Sequence, residues 1–361
     1  MLSTLLALVP LALCGGGKTE NVILVTYDGL RWQEVFSGAD EALLTKKEGG
    51  VRDPDALRAK FWRDTPEARR AALLPFLWGT IAREGQIYGN SAKGSVARVT
   101  NGLNFSYPGY QELLCGFADP KVDSNDKRPN PNVSVLEWLN GKEAYRGRVA
   151  AFTQWDCFPF ILNRERSGLL VNAGQAPIEG DRLSEREQSL NRVLIDTNWP
   201  DADQRSDALT YLYGEAYFER RRPRVLYFGF GETDTWAHEG RYDLVLQGAH
   251  QTDGYLARLW AAVQASPDYA GKTSLVITTD HGRGEAPVEW KGHGEKIPAS
   301  DRIWIAILGP DTPALGEREN CAEVTQSQVA ATVAALLGED WNAAEPRAAA
   351  PIRDAVGVMV R

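Results

Sequence analysis

Three apolar runs, rich in β-branched and aromatic residues, constrain the fold of this chain most strongly. Each run leads into acidic residues or histidine: Val22–Thr26 into Asp28, Val225–Phe230 into Asp234, and Thr273–Thr279 into Asp280 and His281. Continuous runs of this kind are typical of parallel β-strands that are covered on both faces. Open α/β sheets bind their ligands at the carboxyl ends of such strands. The sequence therefore predicts that these polar side chains meet at one edge of one sheet.

The segments between these runs alternate between helical and extended patterns. Helices are predicted over Leu73–Glu84, residues 133–140, Asp207–Arg220, residues 242–264 and Thr325–Leu337. Further strands are predicted over Gln86–Tyr88, Arg148–Thr153 and Ile303–Leu308. This alternation predicts an α/β fold with a largely parallel central sheet and helices on both faces. We expect a single domain over residues 18–361, with cap or lid insertions near residues 31–72 and 155–205.

The first seventeen residues, MLSTLLALVPLALCGGG, are apolar, too short to span a bilayer and followed by polar residues. This pattern predicts a signal peptide over residues 1–17 and hence a periplasmic or secreted protein. A lipid anchor on Cys14 is the alternative, although Leu13 is a poor residue to precede a modified cysteine. No other stretch of the sequence is long and apolar enough to be expected to span a membrane.

The net charge and the cysteine content restrict the kinds of ligand and partner that the chain can be expected to bind. The net charge of −8 argues against binding to a nucleic-acid duplex, which normally needs a basic face. The acidity leaves an anionic substrate open, because bound metal ions can reverse the sign of the local field. The 4 cysteines form no C-x-x-C pair, so a structural zinc site is not expected. In an oxidising compartment, Cys115 and Cys157 are candidates for a disulfide.

The chain has only 4 histidines, and three of them stand beside an aspartate or a glycine turn. His238 follows Asp234 by four residues, and the short stretch TTDHGRGEAPVEWKGHGEK holds both His281 and His293. Imidazole nitrogens and carboxylate oxygens suit Zn²⁺ or Mn²⁺, and no cysteine lies nearby to suggest a thiolate site. These residues therefore predict a site for divalent metal. His250 lies within a predicted helix without a carboxylate at ligand spacing, and we expect it to be structural.

A Gly- and Asn-rich segment over residues 89–117 places one serine at a predicted helix start. Ser106 lies between two aromatic residues, and the helix is expected to begin near Pro108. A hydroxyl at a helix N-terminus has the positive end of the helix dipole behind it, which favours a developing anion. Ser106 is therefore a candidate nucleophile. The alternative is that its hydroxyl only caps the helix.

Together these motifs resemble the alkaline phosphatase superfamily, and most closely its nucleotide pyrophosphatase/phosphodiesterase-like branch. The nucleophile segment of that branch, T-F-P-N-H-Y-S-I-V-T-G, is similar to S-Y-P-G-Y-Q-E-L-L-C-G from Ser106 to Gly116. The other motifs of the branch occur in the same order: the first-strand Asp at Asp28, D-x-x-x-H at Asp234, D-H-G at Asp280 and H-G at His293. The resemblance covers most of residues 22–338.

The resemblance implies a hydrolase with two divalent metal ions, usually Zn²⁺, with Mn²⁺ as the alternative found in the mutase branches. It assigns Asp234, His238 and His293 to one ion, and Asp28, Asp280 and His281 to the other. Ser106 would bridge toward the second ion, attack phosphorus and form a phosphoserine intermediate that water then hydrolyses. The implied substrate is a small phosphate ester, either a monoester or a diester. The sequence leaves the oligomeric state open.

The chain departs from this branch at several positions. Its nucleophile is Ser rather than Thr, and Gly109 stands where the diesterases carry Asn. The diesterases also place an Asn after the nucleophile to contact the phosphoryl oxygens. Asn125 is our candidate for that role, with Asn130 and Asn132 as rivals. The competing interpretation is that all three are turn-forming residues of a polar loop.

Other charged residues and other functions agree less well with the sequence. Arg128, Arg283 and Lys291 could clamp an anionic substrate, but we expect all three to be solvated surface residues. A sulfatase would need Arg where this chain has Tyr110, and a phosphomutase or phosphotransferase agrees less well with a signal peptide. A binding protein that has lost catalysis usually lacks a ligand or the nucleophile, and the sequence retains all of them.

Overall fold

The structure is a computed structural model that describes residues 18–357 except 181, 198, 200 and 201. The predicted signal peptide and Cys14 therefore lie outside the described residues. Within the described part of the chain, no helix is long and apolar enough to cross a membrane.

The described strands form a central sheet of eight strands and a small sheet of two strands. Strands β1 to β10 span Asn21–Tyr27, Gln86–Tyr88, Ala97–Arg98, Val149–Thr153, Leu170–Ala173, Val225–Phe230, Thr273–Thr278, Ile305–Leu308, Gly316–Glu317 and Val324–Thr325. The order in the central sheet is β5-β4-β6-β1-β7-β8-β2-β9, and β10 pairs with β3. The three apolar runs that lead into acidic residues or histidine thus form the neighbouring strands β6, β1 and β7 at the centre of the sheet.

The central sheet is largely parallel, so the predicted fold class is confirmed. Strand β1 pairs in parallel with β6 and with β7, and β4 and β5 continue the parallel order beyond β6. Strand β8 is the exception, because it runs antiparallel to both β7 and β2. Parallel strands at the centre bring the carboxyl ends of β6, β1 and β7 to the same edge of the sheet.

Helices cover both faces of this sheet, as predicted. Helices α1 to α14 span Trp32–Ser37, Pro54–Phe61, Pro66–Leu73, Ala82–Glu84, Ser106–Cys115, Val135–Gly141, Phe158–Ile161, Arg164–Ser167, Glu185–Asp196, Asp207–Arg221, Glu232–His238, Tyr242–Ala265, Gln328–Leu336 and Trp341–Ala344. Side chains alternate along β1: Ile23 and Val25 join the core that includes α10 and α12, whereas Val22 and Leu24 join the core that includes α5, α6 and α13. Burial on both faces explains why β1 reads as a continuous apolar run.

Two helix predictions need correction at their boundaries. The predicted helix Leu73–Glu84 is broken, because α3 ends at Leu73 and a π-helical turn over Leu77–Ile81 then leads into α4. Pro75 is the reason, since the residue before a proline is pushed out of the helical region. Helical structure resumes at Phe76 and Leu77, whose backbone N–H groups donate to the carboxylate of Asp253. The closing helix α13 begins at Gln328 rather than Thr325.

The predicted insertions are more ordered than their sequences indicate. Residues 31–72 contain α1, α2 and α3 instead of irregular structure. Within residues 155–205, β5 pairs in parallel with β4 and forms one edge of the central sheet, so this part of the segment is not a lid.

The candidate disulfide is also wrong, because Cys115 and Cys157 are buried free thiols. Each sulfur lies near a polar atom of another residue, Asn130 Nδ2 and the Asn125 carbonyl oxygen respectively.

Candidate metal centre and nucleophile

The predicted ligands converge at the carboxyl edge of the central strands. Asp28 follows β1 directly, Asp280 follows β7, and α11 begins just after β6 and carries Asp234. The backbone N–H of Asp28 donates to the carbonyl of Phe230, which continues the β1–β6 ladder by one residue beyond the strand end. Sheet pairing therefore fixes the position of each backbone before any side chain contributes.

One cluster consists of Asp28, Asp280 and His281, all of them buried. Nε2 of His281 lies 3.3 Å from Oδ1 of Asp28 and 3.4 Å from Oδ2 of Asp280. Nδ1 of His281 lies 2.9 Å from the carbonyl of Gly282 and donates to it, so Nε2 is the ring nitrogen that faces the carboxylates. The other oxygen of Asp280, Oδ1, accepts the backbone N–H of Gly29 at 3.0 Å.

A second cluster lies beside the first and is more open to solvent. Nε2 of His293 lies 3.7 Å from Oδ1 of Asp234, and its ring stacks on the ring of His281 with 3.9 Å between centroids. Nε2 of His238 lies 3.3 Å from Oδ2 of Asp234 and 3.0 Å from Nε2 of His293. Nδ1 of His293 donates to the carbonyl of Asn104, which turns Nε2 toward the cluster. His281 contacts both clusters, whereas His238 lies at the solvent-exposed rim.

Burial and the charges within these clusters raise the pKa values of some members and lower those of others. Burial, together with the charge of Asp28, raises the pKa of Asp280 to about 8. Burial by itself lowers the pKa of His281, but the carboxylates of Asp280 and Asp28 outweigh burial and raise that pKa to about 9. Burial and the neighbouring His281 lower the pKa values of His238 and His293. Without metal, the first cluster therefore retains protons at neutral pH.

The residues present fit a pair of divalent cations. Oδ1 of Asp28 and Oδ2 of Asp280 are buried and have no hydrogen-bond partner in the described part of the chain. Both oxygens face Nε2 of His281, and a cation that takes the place of the retained protons is what such a convergence of metal-binding atoms accommodates. In each of two groups, Asp28–Asp280–His281 and Asp234–His281–His293, the donor atoms lie within 4.8 Å of one another. The two groups share His281, whose single Nε2 can serve only one cation. His238 is then the nitrogen left for the second cation, since its Nε2 lies 3.3 Å from Asp234 and 3.0 Å from His293. Nitrogen and carboxylate donors of this kind suit Zn²⁺ or Mn²⁺.

Ser106 is the first residue of α5 and lies against the first cluster. Its Oγ is 3.4 Å from Nε2 of His281, and the residue is 6% exposed. The N-cap of α5 is Phe105, so the Ser106 hydroxyl does not have the position of a capping side chain.

Gly109 explains one departure from the diesterase pattern, because a Cβ there would lie 2.4 Å from the backbone oxygen of Asp280. Helix α5 can approach the cluster only without a side chain at that position.

The three candidate asparagines differ in what they contact. Oδ1 of Asn125 accepts the backbone N–H of Tyr107 at 2.9 Å, so this exposed side chain lies next to Ser106 at the start of α5. Asn130 donates to the carbonyl of Ile161 and accepts the backbone N–H of Asn132. Asn132 in turn donates to Asp119. Asn130 and Asn132 therefore hold the loop, and only Asn125 among the three borders the candidate nucleophile.

Arg283 contradicts the expectation of a solvated surface residue. Its side chain is buried and its Nη2 forms an ion pair with Oδ1 of Asp234. It also donates from Nε to the carbonyl of Gly29 and from Nη1 to the carbonyl of Lys291. A Cβ on Gly29 would lie 2.9 Å from both Nε of Arg283 and Oδ1 of Asp234, so this contact requires glycine at position 29. Arg283 is thus occupied by protein groups and holds Asp234 in place.

The remaining candidates lie outside the clusters. Arg128 is exposed and pairs with Asp126 at 2.7 Å, and Lys291 is exposed, so both match the expected surface role. Nδ1 of His250 donates to the carbonyl of Leu73, and its ring contacts Phe61 edge to face.

Two supporting residues were missed in the sequence. Nε2 of Gln326 donates to the carbonyls of Thr279 and Asp280, which fixes the backbone behind the first cluster. The hydroxyl of Tyr110 donates to Oδ2 of Asp28 at 2.8 Å. The four-residue spacing from Ser106 to Tyr110 is a signal for one helix face and could have placed Tyr110 near the site. Nothing in the local sequence indicates the contact of Gln326.

The raised pKa values predict how the stability of the metal-free protein depends on pH. Between pH 7 and 9, Asp280 and His281 retain protons in the folded chain that the unfolded chain has already released, because their ordinary pKa values are about 3.9 and 6.5. His238 and His293, with lowered pKa values, are neutral in both states over this range. The free energy of unfolding should therefore fall between pH 7 and 9, by on the order of 2 kcal/mol.

Urea unfolding with a chelator at pH 7, 8 and 9 measures this effect. The matched control is the same series with two equivalents of zinc, in which the metal replaces the protons retained by Asp280 and His281 and the fall should shrink. The remaining fall comes from buried groups outside the clusters, such as Asp253, whose pKa burial raises to about 7. A metal-free protein whose stability rises over this range would contradict the assigned pKa directions.

The sequence and the fold were compared with those of known proteins, and only the fold gave matches. No family model matches the chain, and no curated protein matches its sequence. The fold is similar to that of wild-type alkaline phosphatase PafA, with a TM-score of 0.61 and 9% identity over 95% of this chain and 99% of that chain. It is also similar to phosphonate monoester hydrolase SpPMH from Silicibacter pomeroyi, with a TM-score of 0.55 and 12% identity over 91% of this chain and 76% of that chain.

A third similar structure is described as a protein in the alkaline phosphatase superfamily from Vibrio parahaemolyticus. It gives a TM-score of 0.51 and 13% identity over 91% of this chain and 68% of that chain. Identities this low establish the arrangement of the backbone and leave the chemistry to the site residues. The sheet order, the helices on both faces and these similarities agree with the motifs, and the chain has the fold of the alkaline phosphatase superfamily.

Proposed function

We propose that this chain is a metal-dependent phosphoric ester hydrolase that works through a phosphoserine intermediate on Ser106. The observation that carries the proposal is the convergence of Ser106 Oγ with the unpartnered oxygens of Asp28 and Asp280 around Nε2 of His281. A hydroxyl beside a site for divalent cations, at the N-terminus of a helix, is an arrangement suited to phosphoryl transfer. The fold similarity to a phosphatase and to a phosphonate monoester hydrolase supports the same class of reaction.

Each residue has a defined role in this proposal. Asp28, Asp280 and His281 hold one divalent cation, and Asp234, His238 and His293 hold the other. When bound, the two cations neutralise charge on the attacking and leaving oxygens. Zinc is the first choice and manganese the alternative.

The reaction proceeds in two displacements at phosphorus. Ser106 Oγ forms a bond to phosphorus while the bond to the leaving oxygen breaks; the hydroxyl proton of Ser106 passes to water, and the leaving oxygen departs as the alcohol or, if it is acidic, as its anion. Water then attacks the phosphoserine: its oxygen bonds to phosphorus, the Ser106 Oγ–P bond breaks, a proton from the water returns to Ser106 Oγ, and the phosphate product is released. Helix α5 favours the charge that develops at its N-terminus. Asn125, whose Oδ1 accepts the N–H of Tyr107, would donate from its side-chain amide to a phosphoryl oxygen.

The proposal includes the domain organisation and the compartment. We infer one catalytic domain over residues 18–361, because β1 near one end of the sequence and β8 and β9 near the other belong to the same eight-stranded sheet. The inference of export to the periplasm or the exterior depends on the sequence of residues 1–17 alone.

The first test is metal content. Protein purified without chelator and dialysed against zinc should hold about two ions per chain, because two groups of donors are present. Elemental analysis combined with protein quantification measures this ratio. Saturation at one ion or fewer would contradict the two-metal assignment.

The second test compares substrates that share one leaving group. The zinc-loaded protein should hydrolyse p-nitrophenyl phosphate, bis(p-nitrophenyl) phosphate or p-nitrophenyl phenylphosphonate, and the relative kcat/KM identifies monoester, diester or phosphonate specificity. p-Nitrophenyl sulfate serves as the control for a sulfatase. A protein that holds two zinc ions but hydrolyses none of these esters would support the alternative of a binding protein with the same fold.

A further inference from the structure

Tyr110 connects the helix that carries Ser106 to a predicted metal ligand. Its ring is buried at 1% exposure and packs edge to face against Phe158, with 4.6 Å between ring centroids. Its hydroxyl donates to Oδ2 of Asp28 at 2.8 Å. The other oxygen of Asp28, Oδ1, faces His281 and has no hydrogen-bond partner in the described part of the chain.

We propose that Tyr110 is a positioning residue whose hydroxyl fixes the Asp28 carboxylate so that Oδ1 is presented to a divalent cation. This inference rests on the proposed function, because it assumes that Asp28 binds a cation. A carboxylate that accepts a hydrogen bond on one oxygen has one preferred rotation about its terminal bond, and its second oxygen then points in one direction. The packed ring holds the donor in place, since a buried aromatic side chain has little room to rotate.

The backbone of Asp28 is fixed independently of Tyr110. Its N–H donates to the carbonyl of Phe230 at 2.8 Å, and its carbonyl accepts the hydroxyl of Thr233 at 2.6 Å. Because the sheet and α11 hold the backbone of Asp28, only its side-chain carboxylate remains able to rotate. The hydrogen bond from the Tyr110 hydroxyl restricts that rotation.

The placement of Tyr110 also links two parts of the site. Tyr110 follows Ser106 by four residues, about one turn of helix, so both side chains lie on the same face of α5. Ser106 Oγ is 3.4 Å from Nε2 of His281, the same nitrogen that lies 3.3 Å from Oδ1 of Asp28. One helix therefore provides both the candidate nucleophile and the anchor of a ligand, and it sets their relative position.

The test is Tyr110→Phe, which keeps the ring and removes only the hydroxyl. Zinc affinity is measured on chelator-treated protein by competition with a chromophoric chelator, without substrate. We expect one of the two zinc ions to bind about 10- to 100-fold more weakly, which is the usual effect of removing an outer partner of a ligand, with the other ion unchanged. Tyr269→Phe is the matched control, because Tyr269 is also buried but donates to the carbonyl of Pro223.

Two outcomes overturn different statements. If wild-type protein binds two zinc ions and Tyr110→Phe binds both with unchanged affinity, the positioning role is wrong and the proposed function stands. If wild-type protein binds neither zinc nor manganese, the proposed function fails, and the role of Tyr110 fails with it.

A double-mutant cycle separates positioning from packing. In an Asp28→Ala background the ligand is already absent, so adding Tyr110→Phe should leave the residual zinc affinity unchanged. A further loss in that background would show that Tyr110 acts through packing of α5 and would overturn the proposal. The cycle remains usable if Tyr110→Phe lowers the stability of the protein, because the zinc affinities of the variants can be compared at a temperature where all of them are folded.

Discussion

Replacing Ser106 with alanine should lower kcat by about 10⁴-fold or more while zinc content and stability stay close to those of the wild type. The reason is that Ser106 Oγ lies 3.4 Å from Nε2 of His281 and is the group that forms the covalent intermediate in the proposed reaction. The variant should also fail to accumulate phosphoserine when the reaction is quenched in acid. Steady-state kinetics, elemental analysis and phosphoserine detection after the quench measure the three quantities.

Ser134→Ala provides the matched control for this experiment. Ser134 is buried and its hydroxyl caps α6 by accepting the backbone N–H of Glu137. Its loss should cost about 0.5–2 kcal/mol of stability and leave turnover intact. A Ser106→Ala protein that behaves in the same way, with reduced stability and normal kcat, would assign Ser106 to a structural role.

The second large effect is expected from His281 and Asp280. His281→Ala removes the nitrogen that contacts both clusters, and Asp280→Asn removes a metal-binding carboxylate while preserving an acceptor for the Gly29 N–H. Each change should abolish the zinc ion nearest Ser106 and nearly all turnover, because a metal site that loses one of three protein ligands loses most of its affinity. Elemental analysis and kcat on the best ester substrate test this expectation.

Stability measurements distinguish lost metal from lost fold. Metal-free Asp280→Asn should be at least as stable as the metal-free wild type at pH 8, because burial raises the pKa of Asp280 and makes its charged form unfavourable. His250→Ala is the control for removing a histidine, since its Nδ1 donates to a backbone carbonyl far from the centre. His281→Ala protein with wild-type turnover and two zinc ions would show that the ligand assignment is wrong.

Much of the fold and site could be predicted from the sequence, because the relevant signals are local. Apolar β-branched runs identify buried strands, and a parallel sheet then brings the residues after those runs to one edge. These two signals suffice to predict that Asp28, Asp234, Asp280 and His281 lie together. The four-residue spacing of Asp234 and His238 in α11 likewise depends only on helical periodicity.

Other features were decided only by tertiary packing. The antiparallel direction of β8 and the position of β5 at the sheet edge depend on pairing between strands, which the pattern within a single strand does not specify. Arg283 looked like a surface residue because its charge predicts exposure, yet folding buries it against Asp234, 49 residues away. Its burial follows from a partner that only the assembled sheet edge provides.

The same reason applies to the residues that support the site. Tyr110 donates to Asp28 across 82 residues of chain, and Gln326 donates to Asp280 across 46. Asn125 is distinguished from Asn130 and Asn132 only because its loop folds back onto the start of α5. The sequence by itself determined which residues can bind metal and in what order they occur, since those signals lie within short segments. Tertiary structure decided which side chains hold them in place, because each such contact joins distant parts of the chain.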